Sequence, residues 1–273
     1  MKKKLYLFIA FLISCSFSIA QTTKKDILYL CTYDYSYLKD SMNKTSIVSD
    51  VMNLEIFKTK TMYYSRLKQI GYAKTLDDIK KQTPVEVILN NEPLYYHHAE
   101  SEIIEYSINK NQFTLYDQLT GAKSAYRSID SLGTPSWKLH SDTMTILGQL
   151  CQKATTSFRG RNFVAWFARK IPFAVGPWKF EGLPGLVLKA DDTRNQFHFQ
   201  CTQLQKKPNP APLFNLYSDC KTIKYKELLS KRKLKAENFH LFSESEWPGV
   251  TVTVSGELQK QTKTPPYNPI ELK

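Results

Sequence analysis

The chain has 273 residues, with 38 Lys+Arg against 25 Asp+Glu, a formal net charge of +13 and a mean hydropathy of −0.40. A chain of this length buries about 70–75% of its unfolded surface in one or two domains, and outside the N-terminus no apolar run approaches the ~20 residues of a membrane-spanning helix. Aromatic residues reach 13%, with sixteen Tyr and fifteen Phe, a bias toward β-structure rather than a helical bundle.

The first element is a secretory signal peptide. Lys2-Lys3-Lys4 precede an apolar run from Leu5 to Ile13, and Ser18-Ile19-Ala20 supply small residues at −3 and −1 before Gln21. Cleavage after Ala20 is the expected processing; residues 1–20 carry three Lys and no acid, so the remaining chain keeps a net charge of +10. The alternative is lipidation, because Leu12-Ile13-Ser14-Cys15 fits a lipobox with Cys15 as the lipid-bearing residue. Either route implies export to the periplasm or outer membrane, and mass spectrometry of the mature N-terminus separates the two.

The rest, residues 21–273, reads as one β-rich domain with an extended C-terminal tail. Ile27–Tyr35 is an opening strand, Lys39–Thr45 a polar turn, Ser46–Thr61 a β-prone stretch, and Lys74–Gln82 a short helix ending on Lys80-Lys81. Ile104, Tyr106 and Ile108 alternate with polar residues, turn at Asn109-Lys110-Asn111 and return through Phe113 and Leu115. Thr143–Phe158 pairs with Phe163–Ala168 across a turn at Arg159–Asn162, and Leu186–Ala190 pairs with Phe197–Cys201 across Asp191–Asn195. Then follow a Pro-rich loop over 208–220, a basic helix over Lys221–Glu237, a strand on Val250, Val252 and Val254, and an extended end over 262–273. Consecutive hairpins predict a mainly β fold, a curved antiparallel sheet with one or two helices.

Chemical signals are sparse. There is no GxSxG elbow, HExxH helix, P-loop or GxGxxG, so no catalytic residue is assigned; Cys151 with His140, His198 or His240 supplies the atoms of a nucleophile pair but no local signature. His98, Glu100 and Glu102 share a face if extended, but nothing fixes a further ligand, and no metal or cofactor is expected. Cys31, Cys151, Cys201 and Cys220 permit two disulfides in an oxidising compartment, with Cys201 and Cys220 the candidate pair, or remain as small buried thiols. Lys231, Arg232 and Lys233 on the basic helix suit a solvated face or an acidic membrane or glycan surface; export argues against nucleic acid.

The densest stretch is WFARKIPFAVGPWKFEGLPGLVLKADD, residues 166–192. Leu183-Pro184-Gly185-Leu186 predicts a type II turn, with Gly182, Pro184 and Gly185 as its structural residues. Trp166, Trp178 and Phe180 either fill the core or line an apolar groove with Arg161 at its rim.

Residues 151–192, with the motif Gly182-Leu183-Pro184-Gly185-Leu186-Val187, resemble the signature of the GLPGLI family of exported Bacteroidetes proteins, Val187 standing where that motif has Ile. The resemblance extends to residues 33–58 and to Asn268-Pro269-Ile270-Glu271-Leu272. It implies an envelope location, a link to TonB-dependent uptake, a fold like that of lipoprotein-carrier half-barrels, and no catalytic residues to carry over. The expectation is therefore a non-enzymatic accessory that binds an apolar or amphipathic ligand, or docks to an outer-membrane transporter or other envelope protein. An envelope hydrolase and a purely structural envelope component are the alternatives.

Overall fold

Side chains two apart on a strand share a face, so long alternations of large and small residues dictate which side of a sheet is filled. The chain, described as a computed structural model over residues 27–84, 86–88, 90, 101–119, 125–208, 220–246 and 267–272, follows that rule through twelve strands. The first six are β1 (Tyr29–Leu38), β2 (Ile47–Ile56), β3 (Lys60–Ser65), β4 (Ile103–Ser107), β5 (Gln112–Gln118) and β6 (Ala125–Asp130). The others are β7 (Lys138–Ile146), β8 (Gln149–Phe158), β9 (Arg161–Ala168), β10 (Leu186–Asp192), β11 (Phe197–Lys206) and β12 (Lys221–Thr222). Strands β1 to β6 form one antiparallel meander and β7 to β11 another. They join where β1 pairs with β11, giving the order β12-β6-β5-β4-β3-β2-β1-β11-β10-β9-β8-β7.

The connectivity explains the curvature. Strands β6 and β7 are consecutive in sequence yet sit near opposite edges, ten strand positions apart. Flat, that separation is roughly 48 Å, whereas the eight peptide units from Asp130 to Lys138 reach at most about 29 Å. The sheet must curl until its edges approach, and it does so without closing. It is mainly β, as the hairpin pattern predicts, but mixed: the short β12 runs parallel to β6.

Three elements differ from the sequence reading. The stretch Ser46–Thr61 contains a hairpin, since β2 ends at Ile56 and β3 starts at Lys60, closed by Phe57 N–H on the Lys60 carbonyl at 2.9 Å. Thr143–Phe158 likewise holds a two-residue turn at Leu147-Gly148, with φ of 50° and 71°. Two successive positive φ values make a type I′ turn, and Leu at its first position gives no sequence signal for one. The first helix, α1 (Arg66–Lys80), begins eight residues before Lys74, because Ser65 caps it by accepting the Lys68 N–H at 3.0 Å. Helix α2 (Tyr225–Glu237) follows β12, and α3 (Phe239–Glu246) packs against it. The Val250–Val254 strand and most of the Pro-rich loop lie outside the described residues.

The concave face is filled by the connection between β9 and β10, residues 169–185, which folds inward as a plug. Phe180 and Leu183 are fully buried there, and Phe180 meets Phe163, Trp178 and Phe199 edge-on at 4.9, 5.1 and 5.4 Å.

Candidate functional site

Tyr35 and Tyr37 on β1 pair directly with Phe199 and Phe197 on β11. Spacing by two puts all four rings on the concave face, stacked at 4.8 Å for Tyr35–Phe199 and 5.7 Å for Tyr37–Phe197. These rings wall a cleft of about 430 Å³ between the sheet, the end of α2, Phe239 of α3 and residues 267–270. Trp178 of the plug forms part of its floor. Its polar end is Arg232 of α2, whose guanidinium binds Asp117 at 2.6 Å and also Glu102. Burial opposes that charge, but Glu102 and Asp117 outweigh it and keep Arg232 firmly protonated.

Beside the cleft lies a buried ion cluster that gathers five parts of the chain. Lys179 of the plug, fully buried, donates to Asp130 of β6 and to Tyr225 of α2, each at 2.8 Å, and to Glu271. Arg159, in the β8–β9 turn, adds bonds of 2.9 and 2.8 Å to the two Asp130 oxygens. Tyr225 also donates to Glu271. Burial raises the Asp130 carboxyl, but Lys179 and Arg159 overcome this and hold it below the usual carboxylate range. Asp130 ends β6 and Arg159 joins β8 to β9, so the cluster staples the two approaching halves of the curled sheet.

Segment 267–272 lies across this region as an extended strap. Arg161, only 2% exposed, donates to Asn268 Oδ1 at 2.7 Å and to the Pro269 and Ile270 carbonyls at 2.7 and 3.1 Å. The signature around Arg159, Arg161 and Lys179 therefore holds the Asn268–Leu272 motif directly. Sequence reading marked both stretches but carried no signal that they touch.

Of the four groove residues expected from sequence, only Trp178 lines the cleft. Phe180 is buried beneath it and Arg161 lies under the strap, not at a rim. Trp166 is on the other face: Arg161, Phe163, Ala165 and Phe167 are buried, while Trp166 shares the alternate positions with Asn162 and Val164. The residues that sequence reading missed are Tyr35, Tyr37, Phe197 and Phe199, although their spacing by two was visible. The Leu183–Leu186 turn is also not type II. Gly185 N–H bonds the Leu183 carbonyl at 2.8 Å, a tighter turn about Pro184, while Leu186 N–H goes to Ile171 at 3.1 Å.

The reactive side chains are occupied or quenched. Cys151 is buried, donates to the Gln149 carbonyl at 3.4 Å and is pushed up to about 11 by burial. His140 bonds Thr155 at 2.8 Å and His198 bonds Asp191 at 2.9 Å, while the Cys151 thiol is turned to the Gln149 carbonyl; the His240 side chain lies outside the described residues. Cys31, Cys151 and Cys201 are free thiols. Cys201 interacts with Cys31 in the main core, whereas Cys220 packs on a second cluster around Ile27 and Phe57, so the expected Cys201–Cys220 bridge is not formed. His98 and Glu100 are outside the described residues, Glu102 is taken by Arg232, and among the described residues no acid, His or Cys group is arranged for a metal. Lys231 and Arg232 are paired with Glu246 and with Asp117 and Glu102, so the basic helix is largely compensated internally.

Glu181 is a buried carboxyl of a different kind, outside the ion cluster. It is 1% exposed, its Oε2 has no partner among the described residues, and burial pushes its carboxyl well up against an opposing Gly176 backbone bond. A carboxyl raised on folding stabilises fully below its ordinary 4.5 and loses that contribution as pH climbs toward the folded value. Stability is therefore expected to fall as pH rises above about 5, relative to Glu181→Gln. Urea titrations at four pH values test this; parallel curves for the two proteins would mean that Glu181 ionises normally.

The solved structures of PNGF-II in two crystal forms share 18% identity with this chain at a TM-score of 0.49, covering 76% of this chain and 33–34% of theirs. This chain thus spans about a third of PNGF-II. MucB in complex with MucA(peri) shares 12% identity at a TM-score of 0.26, covering 73% of this chain and 57% of MucB. No curated protein matches. Residues 159–189, the stretch from the β8–β9 turn through the plug into β10, match a protein family described as "Protein of unknown function (Porph_ging)".

Proposed function

We propose that this protein is a non-enzymatic accessory of the cell envelope whose aromatic cleft takes an apolar or amphipathic ligand. The observation that carries this reading is the cavity of about 430 Å³ walled by Tyr35, Tyr37, Phe197 and Phe199. Its size and aromatic lining suit a small ligand with a long apolar part. Lys39, exposed at the edge of the cleft, favours an anionic head. The segment ending at Ala20, or just before Cys15 by the lipid route, supports an exported protein. The resemblance to the GLPGLI signature supports the same compartment and a partner among outer-membrane uptake transporters.

The reading is tested with cis-parinaric acid, a fluorescent anionic amphipath. Saturable binding is expected, with Tyr37→Ala weakening it about tenfold while the melting temperature holds within a few degrees. Tyr37 is suited to this because it is half-buried, whereas Trp178 is 4% exposed and its truncation would open the core. Absence of saturable binding, or binding indifferent to Tyr37→Ala, would reject the cleft as the site.

A further inference from the structure

Segment 267–272 belongs to no strand or helix; Ile270 packs on the core, and the other contacts that hold the segment are mainly polar. Arg161 donates to Asn268 and to two successive carbonyls, as above; Asn268 Nδ2 donates to the Leu38 carbonyl at 2.7 Å, and Leu272 N–H donates to the Arg159 carbonyl at 2.8 Å. The Glu271 carboxylate is shared between Lys179 and Tyr225. The groups that receive the segment are oriented by partners outside it. Arg161 is fixed by Asp192 at 3.0 Å and Gln196 at 2.8 Å and lies 4.4 Å over the Phe197 ring, and Lys179 is fixed by Asp130 at 2.8 Å. A cradle held in shape independently of its occupant is what a peptide site requires, because little ordering remains for binding to accomplish. Its reading is specific. It takes an Asn side chain, then a Pro carbonyl whose residue has no N–H to satisfy, then a carboxylate three positions after the Asn.

We propose that this cradle is a sequence-selective peptide site for an extended Asn-Pro-x-Glu segment, filled in cis by residues 268–271, and that a second copy of this chain is the partner it fits in trans. Residues 247–266 connect the segment to α3 in the sequence, so the cis form is intramolecular and dominates in dilute solution. At high local density the same bonds form between copies. The proposal does not require that the cleft hold a ligand, although residues 267–270 form one wall of that cleft.

A protease site placed within residues 251–260 of the full-length protein allows the tether to be cut after folding. The cut protein is expected to retain the segment through gel filtration and then exchange it for a fluorescein-labelled peptide of residues 264–273, read by anisotropy. Asn268→Ala or Glu271→Gln in that peptide is expected to weaken capture about tenfold or more, the loss of a charge-assisted hydrogen bond to a buried donor. A scrambled peptide captured equally well overturns the proposal, as does failure to exchange. Unfolding of the body after cutting also overturns it, since the segment is then core rather than ligand. The uncut protein is expected to give a dimer fraction at millimolar concentration that Glu271→Gln lowers; a monomer throughout overturns the trans half.

Discussion

Lys179→Met is expected to destabilise the fold by about 3–5 kcal/mol, the range found when one partner is removed from a buried ion cluster. Lys179 has no solvent contact, and its ammonium is the group between Asp130 and Glu271, which are 1% and 7% exposed. Methionine keeps the length and the apolar stem but leaves two carboxylates buried, Asp130 with Arg159 and the Leu132 N–H, and Glu271 with Tyr225. Methionine at 179 combined with Asp130→Asn and Glu271→Gln is therefore expected to recover much of the loss, because the penalty is the uncompensated charge and not the missing contact. The cluster also gives a pH signature. Asp130 is held below the usual carboxylate range, so its contribution is present at neutral pH and lost as pH falls through its folded value, and Lys179→Met should flatten that acid limb. Amide exchange should accelerate first in residues 125–130 and 138–146, the strands beside the gap that the cluster staples. Urea unfolding of the single and triple variants decides the matter; a single variant within about 1 kcal/mol of the parent would show the cluster to be energetically idle.

Much of the sheet was legible because strand signals are local. Ile104-Tyr106-Ile108, Phe197-Phe199-Cys201 and the run into Ala168 alternate with period two, and each forms a strand near its expected place. Turns were legible only where residue chemistry announces them. Arg159-Gly160 is a two-residue turn with φ of 53° and 81°, found through its glycine, whereas the turn at residues 57–59 carries neither Gly nor Pro and was read as strand. The site was least legible, for a geometric reason. Tyr35 and Phe199 are 164 positions apart in sequence and meet only because two meanders join at β1 and β11. Likewise, charge composition shows that Arg161, Lys179 and Glu271 exist, but only the curl of the sheet makes them neighbours. The signature's aromatic residues were read as either core or groove, with Arg161 at a rim; packed together they are a plug and its staples, with Trp178 alone of the four facing the cleft.

Gly185→Ala is expected to destabilise by about 3 kcal/mol, the upper range for forcing an atom into a packed site. A Cβ at this position would stand 2.4 Å from the Ala168 carbonyl oxygen, 2.8 Å from its carbon and 3.0 Å from Arg169 Cα. All three are backbone atoms, so no side chain can swing aside, and the end of β9 must move. That movement acts where it matters most. Leu186 pairs with Ala168 to start the β9–β10 ladder, and the plug is tied to the same strand by Leu186 N–H to Ile171 at 3.1 Å and Val187 N–H to Val175 at 3.0 Å. Gly182 supplies the control. It has φ of +91° but open space, with Pro135 O the nearest atom at 3.9 Å, so Gly182→Ala carries only the conformational penalty of about 1–2 kcal/mol. At about 2–4 °C per kcal/mol, Gly185→Ala should lower the melting temperature by about 6–12 °C and Gly182→Ala by clearly less. Equal losses would mean that positive φ, not backbone contact, fixes both glycines. A larger loss at Gly185 would assign that half of the motif to the approach of two strands, and hence to the seating of Lys179 in the cluster.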